Sequence, residues 1–120
     1  MKLLIVCNWG KNRSQYLADY LQQKGYEAKA GGILSGNDNM ITQEMVDAAE
    51  TIIFVQPKIK ADFLKLFQTD SQQLLALDVE DRLDIIAPDK KEITDAQWLQ
   101  LQQQLVYPEL EKQMQKYLPL

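Results

Sequence analysis

The chain has 120 residues, 46% of them hydrophobic and 25% charged, which is the composition of one globular domain with a core of its own. A formal net charge of −4 argues against general binding to nucleic acid or to an anionic membrane surface. The single cysteine excludes an internal disulfide and fits a reducing compartment, the cytoplasm, while the absence of histidine excludes histidine-based acid–base chemistry and disfavours a metal site.

The apolar run from Lys2 to Val6 predicts a first strand that is central, parallel and buried on both faces. This run is too short for a signal peptide, and no segment approaches the ~20 apolar residues that span a bilayer. A helix is predicted from about Arg13 to Lys24, with Gly25 at its C-terminal cap. Its apolar stripe consists of Tyr16, Leu17, Tyr20 and Leu21.

The middle of the chain predicts two further strands, each followed by a helix. A strand over 26–30 and a loop of turn-forming residues lead to a short helix that is capped by Thr42 and ends near Ala49. A third strand, 51–55, precedes a helix with Pro57 in its first turn. The residues expected to face the core are Met45, Ala48 and Ala49 in the first of these helices, and Ile59, Phe63, Leu66 and Phe67 in the second.

The last third predicts a fourth strand over 74–79, a charged loop over 78–91 that contains Pro88, and a long helix. Thr94 and Gln97 have the spacing of a capping box at the start of that helix, and Pro108 should kink or divide it. The glutamine-rich stretch 100–104 is interpreted as its solvated face. The inward residues are expected to be Trp98, Leu101, Leu105, Leu110, Met114 and Tyr117.

Strands and helices therefore alternate along one domain, 1–120. This alternation predicts an α/β fold of three layers, with a doubly wound, four-stranded parallel sheet in the order 2-1-3-4 and helices on both faces. The first strand is then central, and the segment after it lies at the switch point of the sheet, where ligands bind in open α/β folds.

The segment after the first strand carries the strongest functional signal. It reads Cys7-Asn8-Trp9-Gly10-Lys11-Asn12-Arg13-Ser14. A loop of this length between a strand and a helix can turn its backbone N–H groups inward and, with the helix N-terminus, form an anion site. Cys7 at the floor of that site would be a thiolate, and the planar guanidinium of Arg13 suits phosphate oxygens. A thiolate beneath a bound phosphoryl group indicates nucleophilic attack on phosphorus.

Other residues of the segment have both a functional and a plain interpretation. Gly10 permits the positive φ that a tight anion loop needs. Ser14 either donates a hydrogen bond to the cysteine sulfur or caps the helix, and Asn12 either braces the loop or is solvated. Trp9 either stacks on an aromatic substrate or is an ordinary half-buried indole. Lys11 adds positive field at the rim or is simply exposed.

Phosphoryl transfer from an ester also needs a proton for the leaving oxygen. Without histidine, a carboxylic acid is the natural donor. Four acidic residues follow the predicted fourth strand, near the same sheet edge as Cys7, and each of them could equally be solvated. They are Asp78, Glu80, Asp81 and Asp84.

The pattern Cys7-x5-Arg13-Ser14 at the end of a first strand resembles the low-molecular-weight protein tyrosine phosphatase family, and more closely the short predicted tyrosine phosphatases of bacteria. The resemblance extends loosely over most of the chain. It implies that Cys7 is the nucleophile that forms a phosphocysteine, that Ser14 assists the thiolate and that a loop aspartate is the general acid. It implies no cofactor, and a phosphotyrosyl protein or another phosphate monoester as substrate. The phosphoryl oxygens would be held by the loop residues Asn8, Trp9, Gly10, Lys11, Asn12 and Arg13.

The sequence departs from the family pattern at three places. Gly10 stands where the larger family has asparagine, and Gln15 stands where it usually has proline. The Asp-Pro-Tyr motif that carries the acid is absent, and the stretch 79–83 occupies the equivalent place. Asp81 in that stretch is therefore the candidate acid.

Three other interpretations fit some of the same residues. The IIB subunits of bacterial sugar phosphotransferase systems resemble the chain in Cys7-x2-Gly10-x3-Ser14, but Arg13 favours a protein that holds and hydrolyses over a carrier that releases. An arsenate reductase with a thiol relay would need further cysteines. A phosphate- or phosphotyrosine-binding module with weak turnover stays open because the acid motif is missing.

Overall fold

The computed structural model describes residues 1–34, 38–86 and 93–120, apart from the side chains of Leu83 and Asp84. Its four strands are β1 (Lys2–Cys7), β2 (Glu27–Gly32), β3 (Thr51–Phe54) and β4 (Gln73–Ala76). All neighbouring strands run parallel, in the order β2-β1-β3-β4. The predicted sheet is confirmed, with β1 central and its C-terminal end at the point where the strand order reverses.

The helices lie on both faces of the sheet. They are α1 (Arg13–Gln23), α2 (Gln43–Ala48), α3 (Pro57–Leu66), α4 (Leu83–Ile86), α5 (Asp95–Leu101) and α6 (Tyr107–Gln115), and a π-helical segment (Gln102–Val106) joins the last two. Helix α1 packs on β1, β2 and α6. From β1 the chain crosses to β2 at one edge of the sheet, and from β2 onward it crosses back toward β4 at the other edge. Because both kinds of crossover are right-handed, α2 and α3 lie on the face opposite to α1. Residues 3–7 of β1 are consequently all buried.

Local signals read from the sequence set several element ends. Gly25 follows α1 with φ +97°, and the Thr42 hydroxyl accepts from the Met45 N–H at the start of α2. The predicted capping box is present, since Thr94 and Gln97 each accept from the other's backbone N–H. These contacts satisfy N–H groups that a helix start leaves without an intrahelical partner.

The acidic stretch differs from its prediction. Strand β4 ends at Ala76, although Leu77 and Val79 stay buried and donate backbone hydrogen bonds to Phe54 and Val55. Helix α4 then interrupts the expected loop, which covered 78–91. Residues 87–92, which include the rest of that loop with Pro88, and the turn-forming residues 35–37 lie outside the described residues.

Several inward assignments are wrong. Ala48, Leu66, Leu105 and Tyr117 are exposed, whereas Val46 and Gln102 are buried. The errors at Gln102 and Leu105 follow from the π-helical segment, where the Tyr107 N–H donates to Gln102 O, five residues back, whereas Tyr117 lies beyond α6, which ends at Gln115. This wider turn rotates the following residues around the helix axis, so that Val106, Leu110 and Met114 face the core. Pro108 lies in the first turn of α6, directly after the π-helical segment, and the backbone stays helical across that junction.

Within the described ranges, no helix has both the length and the apolar character needed to cross a membrane.

Candidate active site

Cys7 is the last residue of β1 and is 3% exposed. Its sulfur accepts from the Gly10 N–H at 3.0 Å and lies 2.9 Å from Ser14 Oγ. Both groups can donate to a thiolate. Ser14 is the second residue of α1, and the N-cap of that helix is Asn12, so the serine hydroxyl faces the sulfur rather than capping the helix.

The loop 8–12 turns its carbonyl groups toward the β2 side. Cys7 O, Asn8 O and Gly10 O accept from Ile33 N–H, Leu34 N–H and Asn39 Nδ2, at 3.2, 2.9 and 3.1 Å. Of the five N–H groups of this loop, only that of Gly10 has an acceptor in the part of the chain that the structure describes. The other four N–H groups have no acceptor among the described residues, and an anion could accept from groups of this kind.

A pair of glycines makes the tight loop sterically feasible. Gly10 has φ +70°, and a Cβ there would lie 2.7 Å from Gly32 N. A Cβ on Gly32 would in turn lie 2.5 Å from the backbone carbon of Trp9. The loop can therefore rest on the end of β2 only because neither residue has a side chain.

Arg13 is buried, with 4% of its surface exposed, and its guanidinium joins the segments that follow β3 and β4. Nη1 donates to Gln56 Oε1 at 2.5 Å, after β3, and to Val79 O at 2.7 Å, after β4. Nε lies 3.2 Å from Asp81 Oδ2 but is not directed at it, so the contact is an ion pair without a hydrogen bond. A buried guanidinium needs such partners, and an oxyanion bound in the loop could become a further acceptor for its N–H groups.

Asn12 links the loop to the acidic stretch and to the C-terminal helices. Its Nδ2 donates to Asp81 Oδ2 at 3.0 Å and to Gln102 Oε1 at 2.8 Å, and its Oδ1 accepts from the Tyr107 hydroxyl at 2.6 Å. Gln102 Nε2 also contacts Asp81 O at 3.4 Å. Asn12 thus braces the loop and is not simply solvated, which is the first of the two interpretations given for it from the sequence.

Two stacked tyrosines support this network. The rings of Tyr16 and Tyr107 lie 4.0 Å apart and 5° from parallel, and the Tyr16 hydroxyl donates to the Glu111 carboxylate. Burial and the adjacent Glu111 raise the pKa of Tyr16 to about 12. Burial, with the nearby Asp81 charge, also raises the pKa of Tyr107. Both hydroxyls therefore stay protonated at neutral pH and act as donors.

An open cleft of about 540 Å³ lies over the loop. Two tryptophans stand along it, Trp9 with 53% of its surface exposed and Trp98 from α5. Lys11 is exposed at the rim. The cleft is lined by Cys7, Asn8, Trp9, Lys11, Asn12, Arg13, Asp81, Arg82 and Trp98.

The four candidate acids have different positions. Asp81 lines the cleft beside Arg13. Glu80 accepts from the Asp81 N–H at 3.1 Å and lies 3.8 Å from Arg82 Nε. Asp78 is exposed and is not among the cleft residues, while the Asp84 side chain lies outside the described part. Glu80 also lines a neighbouring pocket with Asn8 and Arg13, but of the described candidate side chains only Asp81 lines the cleft with Cys7 and contacts both Asn12 and Arg13.

Four residues of the site were missed or misassigned from sequence. Gln56 directly follows β3, at the same sheet edge as Cys7, and its place in the chain could have suggested it. Trp98 was assigned to the core, Gln102 to the solvated face, and Tyr107 was not singled out. No local pattern marks Gln102 and Tyr107, because their positions depend on the π-helical segment, whereas Trp98 lies before that segment, in α5. Among the described side chains, no group of three or more Cys, Asp or Glu could hold a metal ion.

Comparison with known proteins identifies the fold. No protein-family model matches the sequence, and no curated protein sequence matches it either. A low-molecular-weight phosphotyrosine phosphatase from Vibrio cholerae O395 superposes with a TM-score of 0.50 at 16% identity, over 94% of this chain and 86% of that one. YwlE arginine phosphatase from Geobacillus stearothermophilus gives 0.48 at 14% identity, over 97% and 94%. The chain has the fold of the low-molecular-weight phosphotyrosine phosphatases, and at this identity the likeness establishes the fold alone.

Proposed function

We propose that this protein is a cysteine-dependent phosphatase that hydrolyses phosphate monoesters, with phosphotyrosine as the favoured substrate class, in a reducing compartment such as the cytoplasm. One observation carries the proposal. A buried cysteine sulfur, with Gly10 N–H and Ser14 Oγ at 3.0 and 2.9 Å, adjoins a loop whose other N–H groups have no acceptor among the described residues, next to the buried Arg13. Such a site can bind a phosphoryl group and attack it from below.

The reaction would proceed in two displacements. The Cys7 thiolate forms a bond to phosphorus as the bond from phosphorus to the ester oxygen breaks, and Asp81 gives its proton to that oxygen. Water then attacks the phosphocysteine, Asp81 takes a proton from the water, and the sulfur leaves as a thiolate beside Ser14. The products are inorganic phosphate and the alcohol, and the enzyme returns to its starting protonation state.

Arg13 and Asp81 would exchange partners when substrate binds. Without substrate, the guanidinium is 3.2 Å from the carboxylate. A phosphate dianion in the loop would compete with the Asp81 carboxyl for Arg13. Asp81, released from Arg13 at the edge of the cleft, would then face the leaving oxygen as the proposed acid.

The favoured ester is aromatic because of the cleft walls. Trp9 and Trp98 present indole rings beside the loop, and an aryl ester can stack on them.

A second candidate is a phosphate- or phosphotyrosine-binding module with little turnover. The ion pair between Arg13 and Asp81 favours it, since a carboxylate engaged by a guanidinium is a poor proton donor for a leaving group. The sequence also lacks the Asp-Pro-Tyr acid motif.

The test is hydrolysis of para-nitrophenyl phosphate from pH 5 to 8 by wild type and Cys7→Ser. The phosphatase proposal expects turnover that vanadate inhibits and that Cys7→Ser lowers by at least about 10⁴-fold, with an unchanged Tm. An inert wild type that vanadate or phosphate still stabilises thermally would favour the binding module. A wild type that is inert toward esters but accepts phosphate from a phosphoprotein donor would favour the IIB-type carrier.

A further inference from the structure

We infer that Gln102 and Tyr107 are positioning residues for the proposed acid: they fix the Asn12 amide and the backbone of Asp81, and so hold the Asp81 carboxyl at the cleft. This inference rests on the proposed function, because it assigns a role in the transfer of a proton by Asp81. It concerns two residues that lie more than 85 positions along the chain from Cys7 and outside the loop motif.

The burial of Gln102 calls for an explanation. Its side chain is 0% exposed, in a stretch where Gln103 and Gln104 are exposed. A buried amide is destabilising unless its donor and acceptor are both used. Here Oε1 accepts from Asn12 at 2.8 Å and Nε2 contacts the carbonyl oxygen of Asp81 at 3.4 Å. One polar end of Gln102 is therefore directed at the backbone of Asp81, and the other at Asn12, which donates to the Asp81 carboxyl.

The Asn12 side chain has its hydrogen-bonding capacity directed at three partners. One Nδ2 hydrogen goes to Gln102 and the other to Asp81 Oδ2, while Oδ1 accepts from Tyr107. Because Gln102 and Tyr107 bind opposite ends of the amide, they fix which way it points. The hydrogen directed at the Asp81 carboxyl is thereby held in place.

The π-helical segment gives these two residues their positions. Gln102 and Tyr107 are its first residue and the residue after its last, joined by the hydrogen bond from Tyr107 N–H to Gln102 O. Helical turns of this width are rare and occur often at functional sites. The stack on Tyr16 fixes the orientation of the Tyr107 ring, and the Tyr107 hydroxyl donates to Asn12 Oδ1 from that position.

A positioning role predicts dependence on the leaving group. The first chemical step, reported by kcat/KM, needs the acid strongly when the leaving group is phenolate and weakly when it is para-nitrophenolate. Loss of a purely structural residue would lower both rates alike. Loss of a residue that positions the acid lowers the phenyl phosphate rate selectively.

The test compares Gln102→Met with Gln103→Met, the same change at the exposed neighbour. We expect Gln102→Met to lower kcat/KM by about 10- to 100-fold on phenyl phosphate and by less than about 3-fold on para-nitrophenyl phosphate. Tyr107→Phe, which keeps the stacked ring, should show the same selectivity with smaller loss. Gln103→Met should match wild type on both esters.

Two outcomes separate this inference from the proposed function. Equal losses on both esters in Gln102→Met and Tyr107→Phe, with wild type active, would overturn the positioning role and leave the phosphatase intact. A wild type inert toward both esters would overturn the proposed function and the catalytic part of the inference together. The structural part has its own readout, hydrogen exchange of the Asn12 side-chain amide by NMR, which must accelerate in Gln102→Met and not in Gln103→Met.

Discussion

The two sides of the candidate site are built in different ways. The sulfur side is one continuous segment, Cys7 to Ser14, held by backbone contacts to the end of β2. The acid side joins Asp81 to Asn12, Gln102 and Tyr107 through side chains from separate parts of the chain. A site of this kind can bind an anion with its continuous side alone, but it needs the assembled side to protonate a leaving group.

Arg13 belongs to both sides, so its loss should have the largest effect on activity after that of Cys7. Arg13→Ala removes the guanidinium beside the phosphoryl site and the ion-pair partner of Asp81. We expect kcat/KM for para-nitrophenyl phosphate to fall about 1,000-fold. Arg13→Lys should recover little of this, because an ammonium lacks the planar fork. Lys65→Ala, at an exposed position of α3, is the charge-loss control, and a rate for Arg13→Ala within 10-fold of that control would contradict a shared role.

Asp81→Asn should break the acid side alone. The expected loss in kcat/KM is about 100-fold or more for phenyl phosphate and much smaller for para-nitrophenyl phosphate, because the second leaving group departs readily without a proton. Asp78→Asn is the matched control, since Asp78 is exposed and absent from the cleft. If Asp78→Asn gave the larger loss, the assignment of the acid would be wrong.

Gly10→Ala should break the sulfur side through the fold. Gly10 and Gly25 both have positive φ, but a Cβ at Gly25 meets no atom within 4 Å, whereas one at Gly10 lies 2.7 Å from Gly32 N. Gly25→Ala should lower the free energy of unfolding by about 1 kcal/mol, from backbone strain alone. Gly10→Ala should lower it by about 2–4 kcal/mol, because the steric clash adds to the strain. Urea denaturation of both variants measures the difference, and equal losses would mean that the close approach of the loop to β2 is unimportant for stability.

The smallest expected effect is a pH dependence on the acid side. The pKa of Tyr16 rises from 10.0 to about 12 on folding, by burial and by Glu111. Below pH 10 both states hold the proton and the stabilisation is fully present. Between pH 10 and 12 the unfolded chain loses the proton first, so the free energy of unfolding falls as pH rises. Tyr16→Phe should make this fall less steep in urea titrations, while Tyr117→Phe, at an exposed ring, should leave it unchanged.

The same contrast explains how much could be predicted from the sequence. The strand order and the positions of Cys7, Arg13 and Ser14 follow from local patterns, namely an apolar run, a loop with glycine and a helix start. The burial of Gln102 was not predicted, because the neighbouring glutamines give the stretch 100–104 the composition of a solvated helix face. Its burial depends on the π-helical turn before Pro108, which a regular 3.6-residue periodicity cannot represent. The exposed Leu105 was assigned inward for the same reason, whereas Tyr117 is exposed beyond the end of α6 at Gln115.

The most direct test of the central claim is to look for the phosphocysteine. Asp81→Asn should slow hydrolysis of the intermediate while still reacting with para-nitrophenyl phosphate, so the intermediate should accumulate. Rapid quenching in neutral denaturant, followed by peptide mass spectrometry, should then find a phosphoryl group on the peptide with Cys7 and none in Cys7→Ser. Steady turnover with no phosphoryl group on Cys7, or with the group on another residue, would contradict the assignment of Cys7 as the nucleophile.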